Sequence, residues 1–224
     1  MDTTDLQLTD YLQALQVTLN SHQEGCRIVM LEAGSDTQVF DRFIDRQFRL
    51  RLQHYMLTSR ARMLETRLAT RSRSTHFLLY RHEQLLAVLR ATPAPFEWAS
   101  LAQQHVSPTV ALSRHVELSR LISYAPSQQP IAVDSLLAAA AEWAIKQGYL
   151  GVTALCRASQ LRLYQRFGLM PVASNPLHIE QRARGDYWVL SAEWRQILAA
   201  LQQPDSATVG HWAPRPLAAH PPQY

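Results

Sequence analysis

The chain has 224 residues, of which 47% are hydrophobic and 18% charged, and its net charge is +4. That proportion of apolar residues builds a sizeable core and excludes a globally disordered chain. Charges interrupt every apolar run well short of the ~20 residues a spanning helix needs, so no membrane span is expected.

The acidic start, Met1-Asp2-Thr3-Thr4-Asp5, is not followed by a hydrophobic core segment, so a signal peptide is not expected. Two cysteines, Cys26 and Cys156, provide neither a disulfide framework nor metal-ligand spacing. The expectation is a cytoplasmic protein with buried thiols and no metal. Lys146 is the only lysine, so arginine carries the remaining positive charge. Arginine's planar fork holds carboxylates and phosphates in two-point contacts. Nine arginines lie between Arg42 and Arg73, opposed only by Asp41, Asp45 and Glu65. Such a stretch is either a surface for an acidic partner or a solvated helix face.

Taken in chain order, three- and four-residue apolar spacing predicts an amphipathic helix over residues 5–20, within an N-terminal segment 1–22. After Gly25, Arg27–Leu31 reads as a buried strand. Gly34-Ser35-Asp36 supplies a turn and a cap for a helix through about Tyr55. A second helix is expected over 58–72. His76–Tyr80 and Leu85–Ala91 read as a hairpin around Arg81-His82-Glu83-Gln84. Residues 92–113, with prolines at 93, 95 and 108, read as irregular. Val116–Ser123 is an apolar strand carrying two charges. Asp134 precedes an alanine-rich helix, Ser135–Gln147, closed by Gly148. Val152–Cys156 is a buried strand and Gln160–Phe167 a short helix ended by Gly168. His178–Glu180 and Tyr187–Leu190 suggest a strand pair, followed by a helix over Ala192–Gln202. One domain is expected over residues 1–203, with a proline-rich flexible tail over 204–224. Strands first, then alternating helix and strand, imply an α/β (α+β) mixed sheet with helices on both faces. No G-x-G-x-x-G or G-K-[ST] loop is present to anchor a dinucleotide or P-loop reading.

The most informative stretch is His115-Val116-Glu117-Leu118-Ser119-Arg120-Leu121-Ile122. Burying Glu117 and Arg120 in a central strand is costly unless each has a partner. Residues three apart point to opposite faces of a straight strand. Either a bulge re-aims one of the two, or they serve different partners. Arg90 raises the same question at the end of the apolar face Leu86-x-Val88-x-Arg90. These charges are either a structural ion-pair network or an active site. His115 shares Glu117's side of the strand.

Glu117-Leu118-Ser119-Arg120-Leu121 resembles the E-x-S-R-[FL] signature of acyl-homoserine-lactone (autoinducer) synthases and the related N-acyl amino acid synthases. Other pieces follow in the same order. Phe48–Tyr55 resembles the family's N-terminal L-R-x-x-[VH]-[FY] helix and matches Arg51 to its arginine. Leu89-Arg90-Ala91-Thr92-Pro93 resembles an L-R-L-x-P-T strand end. Gly148-Tyr149-x-x-Val152-Thr153 and Leu163–Gly168 resemble a later strand and turn. The resemblance spans about residues 26–192 and implies the acetyltransferase-like (GNAT) fold, a central mixed, twisted sheet flanked by helices.

It further implies an N-acyltransferase with Glu117, Arg120 and Arg90 as catalytic residues and Arg51, Ser119, Thr92 and Tyr164 contacting substrate. Ser119 and Tyr164 would donate to the thioester sulfur. No bound cofactor is implied; the co-substrate is an acyl-phosphopantetheine thioester, on acyl carrier protein or coenzyme A. The partners implied are an acidic acyl carrier protein, which suits the arginine-rich stretch, and a small-molecule amine acceptor. No nucleic-acid motif accompanies the basic residues.

Autoinducer synthases carry a tryptophan and two aspartates after the first arginine helix, and residues 56–75 here contain neither type. N-acyl amino acid synthesis therefore fits better than a quorum-sensing lactone synthase using S-adenosylmethionine, which is the alternative. The acetyltransferase pyrophosphate loop, R/Q-x-x-G-x-G/A, is missing from Pro126–Asp134. That favours a carrier protein over the second alternative, a coenzyme A-dependent N-acetyltransferase.

Overall fold

The computed structural model describes residues 25–51, 72–101, 111–123, 131–179 and 186–202. The helix expected over 5–20, most of that over 58–72 and the tail over 204–224 lie outside them. Among the described residues, seven strands form one sheet in the order β1-β2-β3-β4-β5-β7-β6. They are β1 (Cys26–Leu31), β2 (Thr75–Arg81), β3 (Gln84–Pro93), β4 (His115–Ser123), β5 (Gly151–Arg157), β6 (Met170–Pro171) and β7 (Tyr187–Glu193). Among these strands β4 and β5 run parallel, and the other neighbours β1–β2, β2–β3, β3–β4, β5–β7 and β6–β7 are antiparallel. The helices are α1 (Gln38–Arg51), α2 (Glu97–Leu101), α3 (Ile131–Lys146), α4 (Leu161–Arg166) and α5 (Trp194–Leu201).

The two sides of the sheet are covered differently. On one, Phe77, Leu89, Val116, Val152 and Ala154 pack with Leu136, Ala140 and Ala144 of α3 and Ile197 and Leu198 of α5. Alanine on the buried stripe of α3 lets that helix lie close to the sheet. On the other, Phe40 and Ile44 of α1 cover Leu78 and Val88. A separate apolar group, Phe96, Trp98, Leu112, Ile179 and Val189, sits toward β7. Between these two groups the second side carries its charged residues.

The hairpin β2–β3 turns through His82, whose φ of 52° supplies the left-handed step of a two-residue loop. Helix α1 begins where the Asp36 carboxylate accepts the Gln38 N–H at 2.9 Å, a local cap of the expected kind. Gly148 closes α3 with a φ of +79°. Gly151 is needed for a different reason. A Cβ there would lie 2.4 Å from the Ala192 carbonyl oxygen and 2.7 Å from His115 Nε2, so only glycine lets β4, β5 and β7 meet this closely.

Several expectations are corrected. Strand β1 is an edge strand, not a buried one, and exposes Ile28 and Met30. Residues 92–113 are not wholly irregular, since β3 runs to Pro93 and α2 follows. Helix α3 starts at Ile131, so Asp134 lies in its first turn instead of preceding it. Among the described residues His178 and Ile179 do not pair with Tyr187–Leu190; Leu177 makes an isolated bridge to Tyr187, and β7 lies between β5 and β6. Strand β7 continues through Ser191-Ala192-Glu193, and Glu193 begins the capping box of α5 with Gln196.

Candidate active site

The charged residues meet where β4 departs from regular geometry. Arg90 pairs with Ser119 and Val88 with Ile122, so Arg120 and Leu121 together oppose Leu89. Arg120 adopts a φ of 57°, a left-handed step that a β-bulge accommodates and a straight strand does not. Of the two possibilities the sequence left open, the bulge is present. It brings Arg120 to the side that already holds Glu117. Pairing of β4 with β5 ends at Leu118 and Ala154, and beyond that point the two parallel strands are no longer joined.

Glu97, the first residue of α2, was absent from the sequence reading and joins this group together. Its carboxylate bridges two guanidinium groups, with Oε2 against Arg90 and Oε1 2.7 Å from Arg120. Its backbone N–H donates to Glu117 Oε2. Arg90 Nε also donates to Ser119 Oγ at 3.1 Å, between directly paired residues of β3 and β4. Arg90, Glu97 and Glu117 are each at most 3% exposed. Among the described residues, four charges, two of each sign, therefore meet in this buried site and balance. That balance is the condition under which burying them is tolerable. Burial pulls the Arg120 guanidinium below its ordinary pKa, and the Glu117 carboxylate works in the opposite direction.

The remaining residues implied by the resemblance fall into three groups. Ser119 is at the centre and, while accepting from Arg90, keeps its own O–H as a donor. Thr92 is paired with Glu117 across the ladder, but its hydroxyl is bonded to Ser74 at 2.8 Å. Tyr164 is not brought to the arginines. It packs against the core on the α3 side, with Cys156 and Ala154. Burial pushes the Tyr164 phenol up to about 12, with Cys156 adding in the same direction, and burial pushes the Cys156 thiol up to about 11. Both keep their protons at neutral pH. Arg51 ends α1, and its implied contact with substrate lies outside the described residues, as does most of the arginine-rich stretch. His115 is buried at the start of β4. Burial lowers its pKa against the opposing charge of Glu193, so the ring is neutral at pH 7.

Asp134, in the first turn of α3, has its carboxyl pushed up to about 7 by burial, although the Arg166 charge acts to lower it. The folded state thus holds this proton more tightly than the unfolded chain, whose carboxyl titrates near 3.8. Stability then falls as pH rises between those two values and levels off above them. Asp134→Asn is expected to match the wild type near pH 4 and to exceed it in stability at pH 8. Urea denaturation at the two pH values checks this.

Comparison with known proteins adds the fold. No family model matches the chain, and no curated protein matches it. Among solved structures it is similar to FeeM, an N-acyl amino acid synthase from uncultured soil microbes (15% identity, TM-score 0.53), over 78% of this chain and 97% of that one. It is similar to a putative N-acetyltransferase from Lactobacillus plantarum (13%, TM-score 0.51) over 76% and 99% of the two chains. It is also similar to the CoA-dependent acyl-homoserine lactone synthase BjaI, solved with SAM and isopentyl-CoA (19%, TM-score 0.50), over 79% and 88%. The chain has the GNAT-like fold. The resemblance read from the E-x-S-R run thus holds at the level of architecture, over nearly the whole length of each of these proteins.

Proposed function

We propose that the chain is an N-acyltransferase. It would move a fatty acyl group from an acyl-carrier-protein or acyl-CoA thioester to the amine of an amino acid or a related small molecule. The observation that carries this reading is the buried Glu117, held beside paired arginines where β4 bulges and parts from β5.

A thioester is already activated, so the protein's tasks are to supply a neutral amine, to stabilise the oxyanion and to protonate the departing sulfur. An amine of pKa about 8–10 is mostly protonated at pH 7. Glu117 takes its proton, directly or through a water, and the nitrogen then attacks the thioester carbonyl. Backbone N–H groups of β4 past Leu118, where the ladder to β5 has ended, receive the oxyanion; each such donor is typically worth about 2.7–4 kcal/mol. Collapse of the tetrahedral species forms the amide, breaks the C–S bond and releases the thiol. The proton that the nitrogen sheds as the amide forms is relayed to the departing sulfur. The relay runs through Ser119, on the Glu117 side of the gap, or Tyr164, on the α3 side, so that the hydroxyl takes up one proton as it gives one. Tyr164, with a pKa of about 12, stays protonated across the working range and can hand on a proton only as it takes one up.

The arginine-rich stretch favours an acidic carrier protein as donor partner. A surface of this kind mainly speeds encounter, through attraction screened over about 8–10 Å at physiological salt. The missing glycine loop in Pro126–Asp134 points the same way. The test is to offer the purified protein acyl-carrier-protein and acyl-CoA thioesters with a panel of amino acids and small amines, and to search for amides by mass spectrometry. Product from the carrier-protein donor supports this reading, product from CoA alone supports a CoA-dependent acyltransferase, and none from any pair refutes acyl transfer.

Lactone synthesis stays distinguishable. Residues 56–75 offer no aspartate or tryptophan to hold the ammonium and sulfonium charges of S-adenosylmethionine. Calorimetry is therefore expected to show no micromolar binding of it. Micromolar binding would restore the lactone-synthase alternative.

A further inference from the structure

We infer that Glu97 is the positioning residue of this site. It acts as a built-in carboxylate that occupies the fork between Arg90 and Arg120, and its own backbone N–H aims Glu117. The inference rests on the acyl-transfer reading for what is being positioned.

Three contacts make the case. Glu97 is 3% exposed, and each of its carboxylate oxygens faces a different guanidinium, Arg90 from β3 and Arg120 from β4. Arg120 sits at a left-handed backbone step in the bulge, a conformation that costs energy in a non-glycine residue and needs a holding contact. The contact from Arg120 to Glu97 is a charge-assisted hydrogen bond of 2.7 Å, the strong class of such bonds. Finally, the N–H of the same residue bonds Glu117 Oε2. One residue thus sets the direction of both the arginine in the bulge and the proposed base.

A consequence for recognition follows. A carboxylate-bearing acceptor would ordinarily be expected to place its carboxylate in an arginine fork such as this. Here Glu97 already fills that place. Arg90 and Arg120 are therefore not the acceptor's carboxylate site, and the acceptor is read at its amine.

Glu97→Gln keeps the shape and the backbone N–H while removing the charge. The expected result is a kcat about 100-fold lower, the scale of rate lost when reacting groups are displaced by about an ångström. KM for the acyl donor should stay within about twofold, because Glu97 is only 3% exposed and its carboxylate is taken up by Arg90 and Arg120. Glu97→Ala opens the fork, and millimolar formate should restore both its kcat and its melting temperature saturably, while chloride restores neither. If Glu97→Ala does not fold without formate, refolding in formate against chloride gives the same comparison.

A folded Glu97→Gln with near wild-type kcat overturns the inference. So does a Glu97→Ala protein that formate neither stabilises nor reactivates. Formate stabilisation without recovery of kcat makes Glu97 a structural bridge only and also overturns it. If the wild type acylates no amine, the acyl-transfer reading itself has failed, and the positioning role falls with it. The formate dependence of Glu97→Ala melting then reports separately whether the carboxylate bridge exists.

Discussion

Glu117→Gln is expected to leave the protein folded and to lower kcat by about 10²–10⁴-fold, the usual contribution of a positioned general base. Glutamine retains an acceptor oxygen for the Glu97 N–H, so the side chain keeps its direction and loses only the ability to take a proton. The donor KM should change little, since the carboxylate acts on the amine. A melting curve close to wild type, together with product counts by mass spectrometry, separates lost chemistry from lost folding. Near wild-type turnover in a folded Glu117→Gln would make the four buried charges a structural network, the reading that the sequence left beside the catalytic one. Raising the pH with this variant should recover part of the rate, because more of the amine is then neutral without help.

What the sequence made legible, and what it hid, follows from where each residue sits. Glu117 and Arg120 stood out because charge inside an apolar strand is costly and calls for an explanation. Strand alternation showed that the pair could not meet without a bulge, but only the register between β3 and β4 and the φ of Arg120 decide that the bulge is there. Glu97 gave no signal. It begins a five-residue helix just after Pro93 and Pro95, too short to show a period, and an acid near prolines ordinarily reads as exposed loop. The bias against it was physical: carboxylates are rarely buried unless paired, and its partners come from strands distant in sequence.

The same logic explains the smaller errors. Arg27–Leu31 is an apolar run, and apolar runs do not distinguish a central strand from an edge strand. Strand β6 is two residues long, below any alternation signal, so the sequence points to His178–Glu180 as the mate of β7 instead. The hairpin β2–β3 and helix α3 were clear because period and breakers agreed there. Tyr164 lies in the short helix expected over Gln160–Phe167, but no pattern in one dimension could tell that it faces the α3 side of the sheet.

Arg90→Ala is expected to cost about 3–5 kcal/mol of stability, because it leaves a buried carboxylate with half its compensation. Arg90→Lys should recover only part of that. A lysine ammonium can face Glu97 Oε2, but it cannot also reproduce the guanidinium Nε–H that reaches Ser119 at 3.1 Å. Removing the pair whole is the more informative change. In Arg90→Met with Glu97→Leu, both charges go together, and the remaining Arg120 and Glu117 still balance. Replacing a buried ion pair by apolar residues of similar volume is often neutral or stabilising by about 1–4 kcal/mol. The double variant is therefore expected to melt well above Arg90→Ala and close to the wild type. Its activity should nevertheless stay low, since Arg120 no longer has the carboxylate that holds it in the bulge. Urea denaturation and acyl-transfer rates on the same preparations check both halves. A double variant that regains stability and activity together would show that the Arg90–Glu97 pair serves only folding. Stability regained without activity would mean that two buried charges are kept at the junction of β3, β4 and α2 for the reaction, because the fold can do without them.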